Sequence, residues 1–328
     1  MQPSEPSPTH PMRYKMTHLV RSLQKQITSR IESLEGPNGA RFLVDKWTRT
    51  EGGEGISCIM QDGDVFEKGG VNISIVASKA PEGMLNHMRA RKREGIEKGK
   101  NYEMFVAGIS TVMHPRNPYV PTVHFNYRYF ELREEGKGEN EEPVAAWFGG
   151  GCDLTPVYLF EEDATHFHTT IKSACDAHDQ TYYTRFKSWC DTYFHNTHRN
   201  EARGIGGIFF DDLEEVKGGK SKEELFAFVK SCGESFLEQY IPIVEKRMGM
   251  RWGEWERRWQ QVRRGRYVEF NLVHDRGTKF GLATPGVRIE SVLMSLPLTA
   301  RWEYKMVPEK GSPEEKLVNV LQHPREWA

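Results

Sequence analysis

Apolar residues recur along this chain first at helical spacing and then at every second position. Met16, Leu19, Val20, Leu23, Ile27, Ile31 and Leu34 share one helix face, and Gly36-Pro37 stops the pattern. Between residues 40 and 78 the period becomes two. "GISCIMQ", "DVFEK" and "VNISIVAS" read as short antiparallel strands, with "QDGD" and "KGG" as turns. The basic, glycine-interrupted segment 87–100 reads as a mobile loop. "FVAGISTVMH" (105–114) and "PTVHFNYRYF" (121–130) are further strands joined by "PRNPYVP". An acidic loop over 133–142 precedes "VAAWFGGGCDL" (144–154), a strand ending in a glycine run.

The pattern then turns helical over 160–179 and 182–200, with a short strand at "GGIFFDDL" (206–213). Ser221 and Glu224 form a capping box ahead of a long helix to about Met248. A short helix carries Trp252, Trp255 and Trp259, "RYVEFNLVH" (266–274) reads as a strand, and 313–322 is a last amphipathic helix. Strands run first and helices cluster afterwards, with no internal repeat and no long linker. That order predicts an α+β arrangement around a largely antiparallel sheet. Residues 1–11 are expected to be a disordered arm and 12–328 a single domain.

Composition narrows the function classes. The 328 residues carry a net charge of −1, so nothing general attracts nucleic acid or an anionic membrane. Five scattered cysteines without a C-x-x-C pair argue against a disulfide framework or a Cys-type zinc site, and point to a reducing compartment. No apolar run reaches the roughly 20 residues of a membrane helix. The proline-rich N-terminus resembles neither a signal peptide nor an Arg-rich transit peptide, so the expected location is the cytoplasm. "GIGGIFF" lacks the third glycine of a dinucleotide fingerprint, and "GGKS" lacks the first glycine of a phosphate loop. The Trp- and Arg-rich stretch 251–266 suits either a clamp for single-stranded nucleic acid or an amphipathic helix packed by its Trp face; the second reading is the simpler one.

Two constellations carry chemistry. His114, His124, His166, His168, His195 and His198 offer imidazoles that can serve a metal or serve as ordinary helical surface, with His195 and His198 expected on one helix face. The stronger set places arginines and carboxylates beside glycine-rich or strand-end backbone. Strand alternation puts His124, Asn126 and Arg128 on one face and Val123, Phe125, Tyr127 and Tyr129 on the other. Asp153 follows three glycines, Asp275-Arg276 ends "RYVEFNLVHDR", and Arg288 sits in "TPGVR". Arginine grips carboxylates bidentately, and glycine lets backbone approach a ligand. Several Arg with one or two Asp and an aromatic backing suit a large, partly apolar polyanion. Structural Arg–Asp pairing is the plainer alternative.

Beside these residues the chain resembles a known family, the oxygen-dependent coproporphyrinogen-III oxidases. The matching segments are "EGGEGISCIMQDGDVFEKGGVNIS", "HPRNPYVPTVHFNYRYFEL", "WFGGGCDLTP", "HRNEARGIGGIFFDDL", "YVEFNLVHDRGTKFGL", "TPGVRIESVLMSLPLTARWEY" and "HPREW". They run in order from about residue 40 to 327 and look like a fungal, cytosolic form.

The resemblance implies a single domain with a large curved antiparallel sheet flanked by helices on both faces. It implies a homodimer with contacts around 267–303. It implies oxidative decarboxylation of the ring A and B propionates of coproporphyrinogen III to vinyls. Molecular oxygen is then the co-substrate, and no cofactor is required. By the same resemblance His124 is the proton donor, with Asp153 also implicated in catalysis and in holding pyrrole NH groups. Substrate contacts fall on Ser110, Asn126, Tyr127, Arg128, Asp275, Arg276, Gly286, Val287 and Arg288. No metal is expected; His114, His124, His168 and His198 are the ligands that metal-dependent relatives would imply.

Overall fold

The computed structural model describes residues 6–90, 93, 95–283 and 287–328. Of the expected N-terminal arm, residues 1–5 lie outside this description. Residues 6–11 make a turn in which the Ser7 amide donates to Nδ1 of His10. Helix α1 (Met12–Leu34) follows, with the seven apolar positions on one face, and ends before Gly36.

Seven strands form one antiparallel sheet: β1 (Leu43–Thr48), β2 (Glu54–Gln61), β3 (Phe66–Lys79), β4 (Tyr102–Pro115), β5 (Thr122–Glu134), β6 (Ala145–Thr155) and β9 (Gly207–Leu213), in that spatial order. "DVFEK" and "VNISIVAS" are thus one long strand, and "KGG" is no turn. Gly69 and Gly70 lie mid-strand because a Cβ there would collide with the side chains of Met113 and Met294. The triple glycine likewise does not end β6, which continues to Thr155. Residues 87–90 belong to helix α2 (Glu82–Ala90) rather than to a loop, while 91, 92 and 94 of that segment lie outside the described residues.

The helices are α3 (Glu161–Asp176) and α4 (Tyr182–Tyr193), α5 (Lys222–Glu234) and α6 (Phe236–Arg247), α7 (Glu254–Glu269), α8 (Arg276–Ala283), α9 (Ile289–Leu293) and α10 (Pro313–Gln322). The capping box at Ser221 is present, but the helix it starts breaks at Ser235. α4 stops at Tyr193, and the chain folds into a two-residue hairpin, β7 (His195–Asn196) with β8 (Glu201–Ala202). His195 and His198 therefore share no helix face. Residues 266–274 are not a strand: they finish α7 and run into a π-helical turn, Phe270–His274. The apolar-polar alternation there is misleading. Tyr267, Phe270 and Asn271 are buried at helical spacing, and Leu272 and Val273 face outward.

The aromatic face of β5 builds the core. Phe125 meets Phe236 of α6 at 4.7 Å between ring centroids, and Tyr127 lies 6.0 Å from Phe210 of β9. Burying such a ring contributes about 1.5–3 kcal/mol. α1 packs beneath β3 and β4 on this side. The opposite face of the sheet is roofed by the end of α7, the π turn, α8 and α9. Trp259 of α7 is buried, whereas Trp255 and Trp252 are half exposed.

Candidate active site

Antiparallel register lays the open face of the sheet out in rows. One row across the strands reads Asp45, Ser57, Asn72, Ser110, Asn126, Gly151, Phe209, all at directly paired positions. The row on one side reads Trp47, Gly55, Ser74, Gly108, Arg128, Gly149, and the row on the other brings Val112, His124, Asp153 and Gly207 together. Above this floor lies a cavity of about 1050 Å³. Ser110, His124, Asn126, Arg128, Arg203 and Asp211 line its lower side, and Asp275, Arg276, Val287 and Arg288 its wall. Gly286 lies outside the described residues.

His124 and Asp153 are cross-strand partners on β5 and β6, which sets their contact: Nδ1 of His124 is 2.8 Å from Oδ1 of Asp153. An ionised carboxylate only accepts, so Nδ1 carries the proton and donates. The other ring nitrogen, Nε2, is then the one that can exchange a proton with a bound molecule. Asp153 is 1% exposed and does not face the cavity. Both its oxygens are gripped by Arg203, with Nη2 at 2.7 and 2.8 Å and Nε at 3.2 Å. Burial alone would raise the Asp153 pKa; the Arg203 charge and the His124 bond outweigh it and hold the carboxyl below its ordinary range. Asp153 therefore orients His124 from behind, and the expected direct hold on a pyrrole NH group is not what this placement offers.

Arg203 is itself boxed by the rings of Phe194, Tyr267 and Phe270, at 4.1, 4.7 and 4.9 Å. Its Nη1 donates to Oδ1 of Asn271 at 3.1 Å. The π turn is what aims Asn271 inward, one residue after Phe270 and four before Asp275.

Arg128 donates from Nη1 to Asn126 Oδ1 at 2.9 Å and from Nη2 to Asp211 Oδ1 at 2.8 Å. Arg276, on α8, reaches the other oxygen of Asp211 at 3.5 Å and lies 5.0 Å over the Tyr193 ring. Asp275 accepts from the Tyr193 hydroxyl at 3.0 Å and from the Thr278 amide at 2.6 Å. Arg288 pairs with Asp45 at the far edge of the sheet. Tyr127, expected among the substrate contacts, points into the core with its side chain fully buried, because strand alternation turns it away from Asn126 and Arg128.

The four histidines considered as metal ligands do not converge. His114 is buried, donates Nε2 to the Ser295 carbonyl at 2.8 Å, and accepts from Thr122. His168 donates to the Ile205 carbonyl at 3.1 Å and accepts from the Tyr183 hydroxyl. Burial, helped by Arg264 beside His114 and Lys187 beside His168, lowers the pKa of each to about 3. His198 sits outside, 2.7 Å from Glu269 and 2.9 Å from His274. Among the described residues no three His, Cys, Asp or Glu side chains are grouped to hold a metal ion.

Arg203, Asp211, Tyr193 and Asn271 were not legible as site residues. Arg203 meets Asp153 across 50 positions of sequence, and nothing local distinguishes it from other arginines. Asp211 did carry a signal, since alternation along β9 places it on the same face as Phe209.

The likeness to known proteins spans nearly all of the chain. The sequence profile described as Coproporphyrinogen III oxidase matches residues 15–327. The oxygen-dependent coproporphyrinogen-III oxidase of Drosophila melanogaster is 54% identical over 316 residues, covering 96% of this chain and 78% of that protein. The mitochondrial oxygen-dependent enzyme of Homo sapiens is 53% identical, covering 96% of this chain and 67% of its own length. Coproporphyrinogen-III oxidase 1, chloroplastic, of Arabidopsis thaliana is 50% identical, covering 96% and 79%. The chain belongs to the coproporphyrinogen III oxidase family.

Proposed function

We propose that this protein converts two propionates of coproporphyrinogen III, on rings A and B, to vinyl groups, giving protoporphyrinogen IX. Each propionate –CH2–CH2–COOH and one O2 yield –CH=CH2, CO2 and H2O2. The pair of a breaking C–H bond reduces oxygen. The pair of the breaking C–COO bond becomes the new C=C bond. The observation that carries the reading is a cavity with a proton-transfer group, His124, on the same strand as an arginine site for carboxylates, Arg128. The substrate matches this lining: four carboxylates for Arg128, Arg276 and Arg288, pyrrole NH groups for the side-chain oxygens of Ser57, Asn72, Ser110 and Asn126, and an apolar macrocycle for Phe209, Phe280 and Val292.

A reduced tetrapyrrole is electron-rich enough to react with oxygen itself, so the protein positions the substrate, excludes water and moves protons. His124, held with its proton on Nδ1 by Asp153 and Arg203, takes up at Nε2 the proton that the propionic acid group sheds and passes it on to complete the peroxide. No cofactor or metal is required in this reading. Ser110, Asn126, Arg128, Asp275, Arg276, Val287, Arg288 and Gly286 remain the proposed substrate contacts. Tyr127 is left only its backbone for that role. Incubating the protein aerobically with coproporphyrinogen III tests the reading. One CO2 and one H2O2 per vinyl formed are expected, and activity should survive exhaustive chelation; no vinyl product, or recovery only with one added metal, would overturn it.

We also read the chain as a cytoplasmic homodimer. The five cysteines are buried free thiols, which suits a reducing compartment. No helix among the described residues is long and apolar enough to cross a membrane. Leu272, Val273, Phe280, Leu282, Ile289 and Trp302, all within the expected contact region 267–303, carry exposed apolar side chains.

A further inference from the structure

We infer that Asp211 is a specificity-determining residue that limits the carboxylate grip of the cavity to a single propionate at the Arg128–Arg276 position; this rests on the tetrapyrrole reading above. Arg128 rises from the sheet floor and Arg276 comes down from α8, and the two share one counter-charge, with Asp211 Oδ1 on the first and Oδ2 on the second. Two guanidiniums and one carboxylate leave the trio with one net positive charge. That neutralises one incoming propionate and no more.

The arrangement is built rather than incidental. A Cβ on Gly149 would lie 2.7 Å from Arg128 Nη2 and 2.8 Å from Asp211 Oδ1, so the floor is kept bare at this position for the pair. Arg128 is aimed independently of Asp211, by the 2.9 Å bond to Asn126. Removing the Asp211 charge therefore leaves the arginine in place and changes the charge count alone. The consequence concerns turnover. The substrate carries four carboxylates and the product two, and a site with two uncompensated guanidiniums would hold both too long. Asp211 weakens the grip enough for release.

The probe is coproporphyrin III, the oxidised and unreactive porphyrin with the same four propionates, titrated by fluorescence at low and high salt. Asp211→Asn should bind it about fivefold more tightly than wild type, with a steeper salt dependence. Arg276→Ala, with no net charge left, should bind it more weakly. Asp211→Asn with Arg276→Ala restores one net charge and should return affinity close to wild type. With the reduced substrate, Asp211→Asn should lower KM and kcat together. Weaker binding in Asp211→Asn without recovery in the double variant would overturn the inference, whether or not the melting temperature falls. So would a loss of kcat at unchanged affinity. Arg128→Ala separates the two levels: unchanged probe affinity there discards the cavity as the carboxylate site, whatever Asp211 does.

Discussion

Asp153 and Arg203 form a buried bidentate ion pair, joined at 2.7 and 2.8 Å, and the carboxylate of that pair also accepts the Nδ1 proton of His124. One carboxylate thereby neutralises a sequestered cation and fixes a tautomer. These duties can be separated by mutation.

Asp153→Asn keeps the shape but strands Arg203 among three aromatic rings. Breaking a buried pair from one side costs roughly 3–5 kcal/mol, so this variant should melt well below wild type. Its kcat, measured where it is still folded, should also fall, because an amide can present a donor to His124 and reverse its tautomer. Adding Arg203→Met should recover part of the stability and none of the turnover. Denaturation and kinetics on all four proteins check this; additive stability losses would refute the coupling.

Two neighbouring glycines should fail in opposite ways. Gly149→Ala pushes on Arg128 and Asp211, so KM should rise with the melting temperature nearly intact. Gly150→Ala instead meets the Tyr127 ring and the Asn126 carbonyl, on the core side. That overpacking should cost about 1–3 kcal/mol of stability. Thermal melts beside KM values decide it.

Arg128→Ala should raise KM by roughly one to two orders of magnitude, since a hydrogen bond to a charged group is worth about 1.5–3 kcal/mol. Arg128→Lys should restore only part, because an ammonium cannot serve Asn126, Asp211 and a propionate in one plane. Equal KM values for the Lys variant and wild type would contradict the two-pronged contact.

His114 and His168 should make the fold acid-sensitive. Their folded pKa values lie at about 3, below the unfolded value near 6.5, so the unfolded chain binds protons that the folded one refuses. Their stabilisation is complete above pH 6.5 and is lost as pH falls from there toward 3, at about 1.4 kcal/mol per pH unit for each ring. His168→Gln should flatten that slope in urea melts between neutral and mildly acidic pH. An unchanged slope would mean that His168 takes up a proton inside the fold.

Sedimentation should give a dimer at micromolar concentration. Leu272→Asp with Val273→Asp places two charges on the exposed side of the π turn and should shift it to monomer, with the cavity residues untouched. A wild-type monomer would remove the assembly from the reading.

The floor of the cavity is legible in the sequence because a strand converts alternation directly into facing: His124, Asn126 and Arg128 fall on one side and the aromatics on the other. The roof is not. Residues 266–274 satisfy period two and helical spacing at once, and only tertiary burial of Phe270 and Asn271 decides between them. Asp153 differs for another cause. Its glycine-rich approach suggested access to a ligand, yet Arg203, distant in sequence, closes over it. Gly149 serves the Arg128–Asp211 pair, and Gly150 makes room for the core.

The order of the strands has a consequence for how this site comes into being. β1 to β6 each pair with their neighbour in the chain, so the sheet can zip up strand by strand, with α2 between β3 and β4 the longest detour. β9 alone returns across residues 156–206, after two helices, and it is β9 and the segment leading into it that bring Asp211 and Arg203. His124, Arg128 and Asp153 are therefore in register on a nascent sheet that still lacks both of their counter-charges. The last strand to join the sheet is also the one that neutralises this face of the future active site, so a refolding pulse of hydrogen exchange should find β3–β5 amides protected before carboxylate binding appears.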